Sequence, residues 1–575
     1  MIEALGIAMV KNEADVIEAF VRHNLNFMDA MVIIDNDSVD DTREILVHLQ
    51  RGGLPIIIFD DPVVGHFQAE IVTAVYRKVV PEFKPRFVFL LDADEFIVTP
   101  SREALYGQLR ALRPGTQAQY AWRTYIPAPT DPEGDLSDPL RSITHRRAVE
   151  QPWYKPIIVT NPKIDMKVSI KQGNHGVSYA RLPLRKVKLH NATIAHFPVR
   201  SVEQFTSKIL VGWIANLERN RYRLDMAHGI HWKVVYERIV RGPAFTNEDL
   251  TLEALRYAQL SKSDFEWPRD VIRDPVAPGY TSLTAHPVST TTPLQKVIRS
   301  IDRIFNPEAD LSSLDSDIRF LLDSDRKKKS RPRLRHTFTN DRSGDFESSI
   351  DLPPFRYLAD RYCPDSVLEF GCESGVYLRY FASRGAGQVK GVGCAEGKPK
   401  YLEADEFLRA DFRDPLDLRQ TFDLVICTGL ANVPGKLDHT RVANITRHAR
   451  KRIVLFGQRN AYPVGRGALP HTLDLFASAG WNPCFFDSLA LRSLSTVPWF
   501  RQGTVVLTRD SADATVTRER LIELDERSIN RRKRWPALVT HSFTETEASL
   551  SARRDSRAVA MANKLMRAII ARAFH

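Results

Sequence analysis

Four short apolar runs separated by helical stretches constrain the first hundred residues more than any other feature of the chain. They read "ALGIAMV", "AMVIID", "PIIIFD" and "RFVFLLD", and the last three end in Asp35, Asp60 and Asp92. Between them lie "EADVIEAFVRHNL", whose Val16, Ile17, Phe20 and Val21 share one helical face, then "DDTREILVHLQ" and "AEIVTAVYRKVV". Strands alternating with helices predict a parallel α/β sheet, because a parallel return needs a crossover. Ligands of such sheets sit beyond the carboxyl ends of the strands. Asn12, Asp35, Asp60 and Asp92 all fall there.

The fourth run continues as "FLLDADEF", residues 89–96, with Asp92, Asp94 and Glu95 directly after apolar positions. Three acids in four positions repel each other and resist burial unless a cation lies among them. The pattern reads either as a surface turn or as a metal site at a strand end.

At 575 residues the chain exceeds a single core and predicts three to four domains. A hydrophobic fraction of 43% and a charged fraction of 26% are those of a globular protein. The net charge of +11 favours anionic partners: nucleotides, phosphorylated lipids, acidic membranes or nucleic acid. No aromatic-interleaved RNA motif or zinc finger appears, so nucleic acid ranks last among them. Cys363, Cys372, Cys394, Cys427 and Cys484 form no C-x-x-C pair, which argues against a zinc ribbon or a disulfide framework. No apolar run approaches the ~20 residues of a membrane span. The expected location is the cytoplasm. Peripheral contact with the inner face of the membrane is expected only through the basic linker or tail.

A second α/β block begins near Ile350, with strands expected at "SVLEFG", "QVKGVG", "FDLVICTG", "RIVLFG", "PCFFDSLAL" and "GTVVLTRD". The basic run Arg326–His336 between the blocks reads as a linker. After Asp510 the chain reads as a basic helical tail, with Val559, Ala562, Met566, Ile569 and Ala573 in one stripe.

"AMVKNEADVI", "VIIDNDSVDDTREI" and "FVFLLDADEF" resemble the family 2 glycosyltransferases and their relatives with a DxDE-type motif. The resemblance implies a GT-A fold over residues 1–255, a nucleotide-diphospho-sugar donor and a glycan or glycolipid acceptor. It implies a divalent cation, Mn²⁺ or Mg²⁺, held by Asp94 with Asp92 in the metal shell or at the ribose, and Glu95 in support. His196 in "ATIAHFPVRSVEQF" matches a later metal ligand of the group. Asp35 would meet the base or ribose, and Lys11, Asn12 and Glu13 would line the same pocket. Asn36 stands where the usual "DDxS" stretch has its second acid. An inverting enzyme of this kind also needs a carboxylate base. That base is not assigned: Asp131, Glu133 and Asp135 in "TDPEGD" are its candidates, and His175 in "QGNHGV" is a weaker site candidate of the same kind as His196.

"VLEFGCESG", residues 367–375, resembles motif I of the class I S-adenosylmethionine-dependent methyltransferases. The resemblance implies a Rossmann-like domain over residues 349–510, after a helical segment and basic linker at 256–348 and before the tail at 511–575. It places S-adenosyl-L-methionine against Glu369, Gly371, Gly375 and Asp411. Glu373 replaces the central glycine of the motif, and Gly393 replaces the acid that grips the ribose, with Glu396 as its substitute. The expected protein is a metal-dependent glycosyltransferase fused to a methyltransferase domain that acts on the glycan. The alternatives are a transferase whose second domain is non-catalytic, and a basic membrane- or nucleic-acid-binding protein.

Overall fold

The computed structural model describes residues 2–305 and 351–524. Left out are 62–66, 130–137, 181, 223–229, 244, 260–264 and 285–290, and 395–398, 412, 429–436, 458–467, 497–499, 502 and 510–516. The basic run at 326–336 and the tail beyond 524 lie outside the described residues, as do Asp131, Glu133, Asp135 and Glu396. The chain divides into two compact units, and the described residues of the first lie within 1–307, those of the second within 308–538.

The first unit is built on strands β1 (Ala4–Val10), β2 (Ala30–Asp35), β3 (Ile56–Asp60), β4 (Phe87–Asp92), β5 (Glu95–Val98) and β6 (Thr116–Ile126). They are followed by β7 (His145–Arg147), β8 (Tyr154–Val159), β9 (Val168–Ile170), β10 (Val177–Tyr179), β11 (Leu182–Pro183), β12 (Arg185–His196) and β13 (Val271–Arg273). The large sheet runs β13-β7-β6-β8-β4-β1-β2-β3, and β12 joins β6 to β5; β9, β10 and β11 form a small sheet of their own.

The four apolar runs of the sequence are β1 to β4, parallel to one another. Their residues are buried almost throughout, as expected of strands covered on both faces. The register aligns their carboxyl ends: Val10 lies beside Asp35, Asp35 beside Asp60, and Met9 beside Asp92. Beyond β4 the sheet turns antiparallel through β8 and β6, while β12 runs parallel to β6 and brings His196 opposite Thr124. The same strand pairs antiparallel with β5, setting His196 beside Glu95.

The second unit is one sheet of β14 (Ser366–Phe370), β15 (Gln388–Gly393), β16 (Phe407–Arg409), β17 (Phe422–Cys427), β18 (Ala449–Leu455), β19 (Asn482–Cys484) and β20 (Val505–Thr508). Its order is β16-β15-β14-β17-β18-β20-β19, parallel as far as β18, with a switch point between β14 and β17. One expected strand is corrected. In "PCFFDSLAL" only Pro483 and Cys484 belong to a strand, Asn482–Cys484, and the rest lies in the helix Phe485–Leu494. A short apolar run fits a buried strand or a buried helix equally well. Here Ser488 donates back to the Cys484 carbonyl, and Asp487 accepts from the Tyr357 hydroxyl, which fixes the helical choice.

Among the described residues no helix is long and apolar enough to cross a membrane.

Candidate functional site

The loop after β1 is tied to the loop after β2 by side chains that the sequence placed in one pocket. The Lys11 ammonium donates to the Asn36 and Asp37 carbonyls at 2.6 and 3.1 Å. Asn12, at φ 56°, accepts from the Val39 amide at 2.8 Å. Asp35 is buried and accepts from the Ser38 amide; burial pushes its carboxyl up to about 6. Asn36 donates to the Asp61 carboxylate at 2.7 Å. An acid at position 36 would set two carboxylates against each other, so the departure from the "DDxS" pattern has a local cause.

The three acids after β4 are each met by a protein cation. Lys155 of β8 has a side chain with no exposed surface, and its three N–H bonds are all used. They reach Asp92 at 2.5 Å, Glu95 at 3.1 Å and the Gly173 carbonyl at 2.8 Å. Asp92 also accepts from Gln68 and Asn174. Glu95 accepts from the Asp92 amide and from the Trp122 indole, so it locks the turn from β4 to β5. Burial pushes the Glu95 carboxyl upward while Lys155 pulls it down.

Asp94 faces a different set of partners. One of its oxygens pairs with the Lys208 ammonium at 2.7 Å and lies 4.0 Å from the Arg200 guanidinium. Burial opposes its charge, yet Lys208 and Arg200 outweigh it and hold the carboxyl below the usual range. Arg200 is itself fully buried and held by Glu13 at 2.5 Å and Asp15 at 2.6 Å. Burial pushes Glu13 up to about 7 against the pull of Arg200.

His196 Nε2 lies 3.6 Å from the other Asp94 oxygen, beyond a hydrogen bond. Its ring stacks on Trp122, with centroids 4.2 Å apart. Burial pushes the imidazole down to about 3, leaving it neutral, the form that binds metals. A 3.6 Å separation suits two ligands each ~2.1 Å from a shared ion. Asp94 and His196 are thus the two expected ligands that the fold brings together.

The third expected ligand does not join. Among the described residues no group of three His, Cys, Asp or Glu side chains converges as a metal site, and the Asp92 carboxylate is taken by Lys155, Gln68 and Asn174. His175 is packed edge-on against Trp122 at 5.0 Å, the same indole that carries His196.

Lys155, Trp122, Arg200 and Lys208 were missed from sequence. A lone lysine inside the apolar strand "YKPIIV" was a signal for Lys155. Arg200 stands two residues before the helix Val202–Tyr222, and Lys208 lies in its second turn.

In the second unit, the loop after β14 places Gly371 at φ 81° and Gly375 at φ 78°, where a side chain would be strained. A Cβ at Gly375 would also meet Leu402 at 2.4 Å. Glu369 is buried, accepts from the Thr428 hydroxyl at 2.5 Å and is pushed up to about 7 by burial. The expected ribose contact, Glu396, lies outside the described residues, and Gly393 itself leaves no room for an acid. A Cβ at Gly393 would lie 2.3 Å from the Cys372 carbonyl oxygen, so no carboxylate can stand at the end of β15. Asp411 is engaged by Arg413 at 2.7 Å.

No family model matches the chain, and no curated protein does. Among solved structures, the chain has a partial likeness to mannose-1-phosphate geranyltransferase from Thermus thermophilus. Identity is 10% over 44% of this chain and 71% of that one, with a TM-score of 0.17. A likeness that low carries no argument about fold or activity.

Proposed function

We propose that the first unit transfers a sugar from a nucleotide-diphospho-sugar to a glycan or glycolipid hydroxyl, with a divalent cation, Mn²⁺ or Mg²⁺. The observation that carries this reading is the approach of Asp94 and His196, beside Lys208, past the carboxyl end of β4. The cation, held by these two residues, would stabilise the diphosphate charge that grows as the bond to the sugar breaks. Lys208, whose side chain is 26% exposed, adds a second positive charge at the same place. Asp35 and the Lys11–Asn12 loop would receive the nucleoside, and Lys155 would hold Asp92 and Glu95 in register.

Release of nucleoside diphosphate from a panel of sugar nucleotides, with and without Mn²⁺, tests the proposal. Release that depends on Mn²⁺ supports it; release from no donor in the panel argues against it.

For the second unit, the Cys372 carbonyl against Gly393 favours a non-catalytic scaffold over a methyltransferase. Calorimetric titration of the full chain with S-adenosylmethionine should give no heat. Micromolar binding would restore the methyltransferase reading.

A further inference from the structure

The second unit carries a basic cleft at the edge of its sheet opposite the Gly371–Gly375 loop. It encloses about 370 Å³ at the amino ends of β14, β17 and β18, and Tyr362, Asp423, Arg450, Lys451, Arg452 and Arg509 line it. We propose that this cleft binds a phosphate-bearing anion.

A β-bulge builds the cluster. Phe422 pairs with Ala449 and Leu424 with Arg452, so two residues of β18, Arg450 and Lys451, oppose the single Asp423 of β17. A bulge re-aims side chains that would otherwise alternate between faces. Arg450 and Lys451 accordingly reach the same Asp423 oxygen, at 3.4 and 3.1 Å. Asp423 pairs with two cations, and Arg452 and Arg509 complete a lining of four cations and one carboxylate, which leaves the cleft positive.

The Arg450 guanidinium is held by Asp423 and by the Thr421 carbonyl and hydroxyl, whereas Arg452 keeps spare donors. Arg452 donates through one nitrogen to the Lys451 carbonyl and the Thr508 hydroxyl, at 2.8 and 2.9 Å. Its buried Nε has no hydrogen-bond partner in the protein. A buried donor left unmade is costly, so Arg452 keeps bonding capacity beside the cleft. Arg452 lies over the Tyr362 ring at 5.3 Å and Arg509 over the Trp481 ring at 5.0 Å. The planar guanidinium fork matches the geometry of phosphate oxygens. The volume exceeds what a single phosphate needs and lies in the range of small-molecule sites. The ligand is therefore a phosphorylated small molecule or a phospholipid headgroup, recognised through the same phosphate chemistry.

The test uses the full chain. Calorimetric titration with pyrophosphate compares the unmodified protein with Arg450→Ser/Lys451→Ser, whose side chains are 55% and 59% exposed in the native protein. A control pair, Arg185→Ser/Lys186→Ser, sits on the exposed start of β12. Flotation with phosphatidylcholine vesicles, with and without phosphatidic acid, runs in parallel.

The site predicts at least a tenfold loss of pyrophosphate affinity in the first pair and no change in the control. A matching loss of phosphatidic acid binding identifies a lipid source, and a loss confined to pyrophosphate identifies a soluble one. If the double variant fails to fold, Arg509→Gln should show the same loss. No binding by the unmodified protein, or equal affinities in all variants, would overturn the proposal.

Discussion

The Lys155 ammonium lies 2.5 Å from Asp92 and has no exposed surface, so the acids after β4 are neutralised from within the fold. The same ammonium reaches Glu95 at 3.1 Å. Lys155→Met would strand two carboxylates in a largely dry environment. Breaking a buried pair from one side typically costs ~3–5 kcal/mol. Urea unfolding should show a loss of that size, and a loss under ~1 kcal/mol would mean that solvent replaces the lysine.

Asn36 is expected to resist reversion to the acid of the glycosyltransferase pattern. Asn36→Asp would turn a 2.7 Å donor contact with Asp61 into a contact between two carboxylates. The variant should lose ~1–3 kcal/mol at pH 7 and regain part of it under acid, where one carboxyl takes a proton. Melting curves equal to the native protein at both pH values would show that the loop opens to avoid the contact.

Asp35 gives a pH dependence of defined sign. Burial raises its folded carboxyl from an ordinary 3.8 to about 6. A carboxyl raised on folding binds its proton more tightly in the native state. Its contribution is therefore favourable below pH ~4 and is lost as pH rises through about 6. The penalty at pH 7 is on the order of 2–3 kcal/mol. Asp35→Asn keeps an oxygen for the Ser38 amide and removes the charge. The stability difference between variant and native protein should grow from pH 4 to 6 and then level off; parallel curves would contradict the assignment.

What the sequence revealed and what it hid have separate physical causes. Strands β1 to β4 were legible because each is a continuous apolar run closed by a polar residue, and the β15 run "QVKGVG" was legible to the residue. Asp94 and His196, far apart in sequence, were paired only through the glycosyltransferase resemblance, and β12 brings them within 3.6 Å. Nothing in "FLLDADEF" announces Lys155, sixty-three residues later, as the partner of Asp92. The helix at Phe485–Leu494 was hidden by an apolar run too short to show its period.

The central claim is that the Asp94 cluster is a donor site and not a buried knot of ion pairs. Sugar-nucleotide turnover by the native protein and by Asp94→Asn, measured with Mn²⁺ and beside their melting temperatures, tests it most directly. An amide is a far poorer partner for a hard cation, so turnover should fall at least ~100-fold, about 2.7 kcal/mol of transition-state stabilisation, with the fold retained. Near-native turnover by Asp94→Asn would contradict the account.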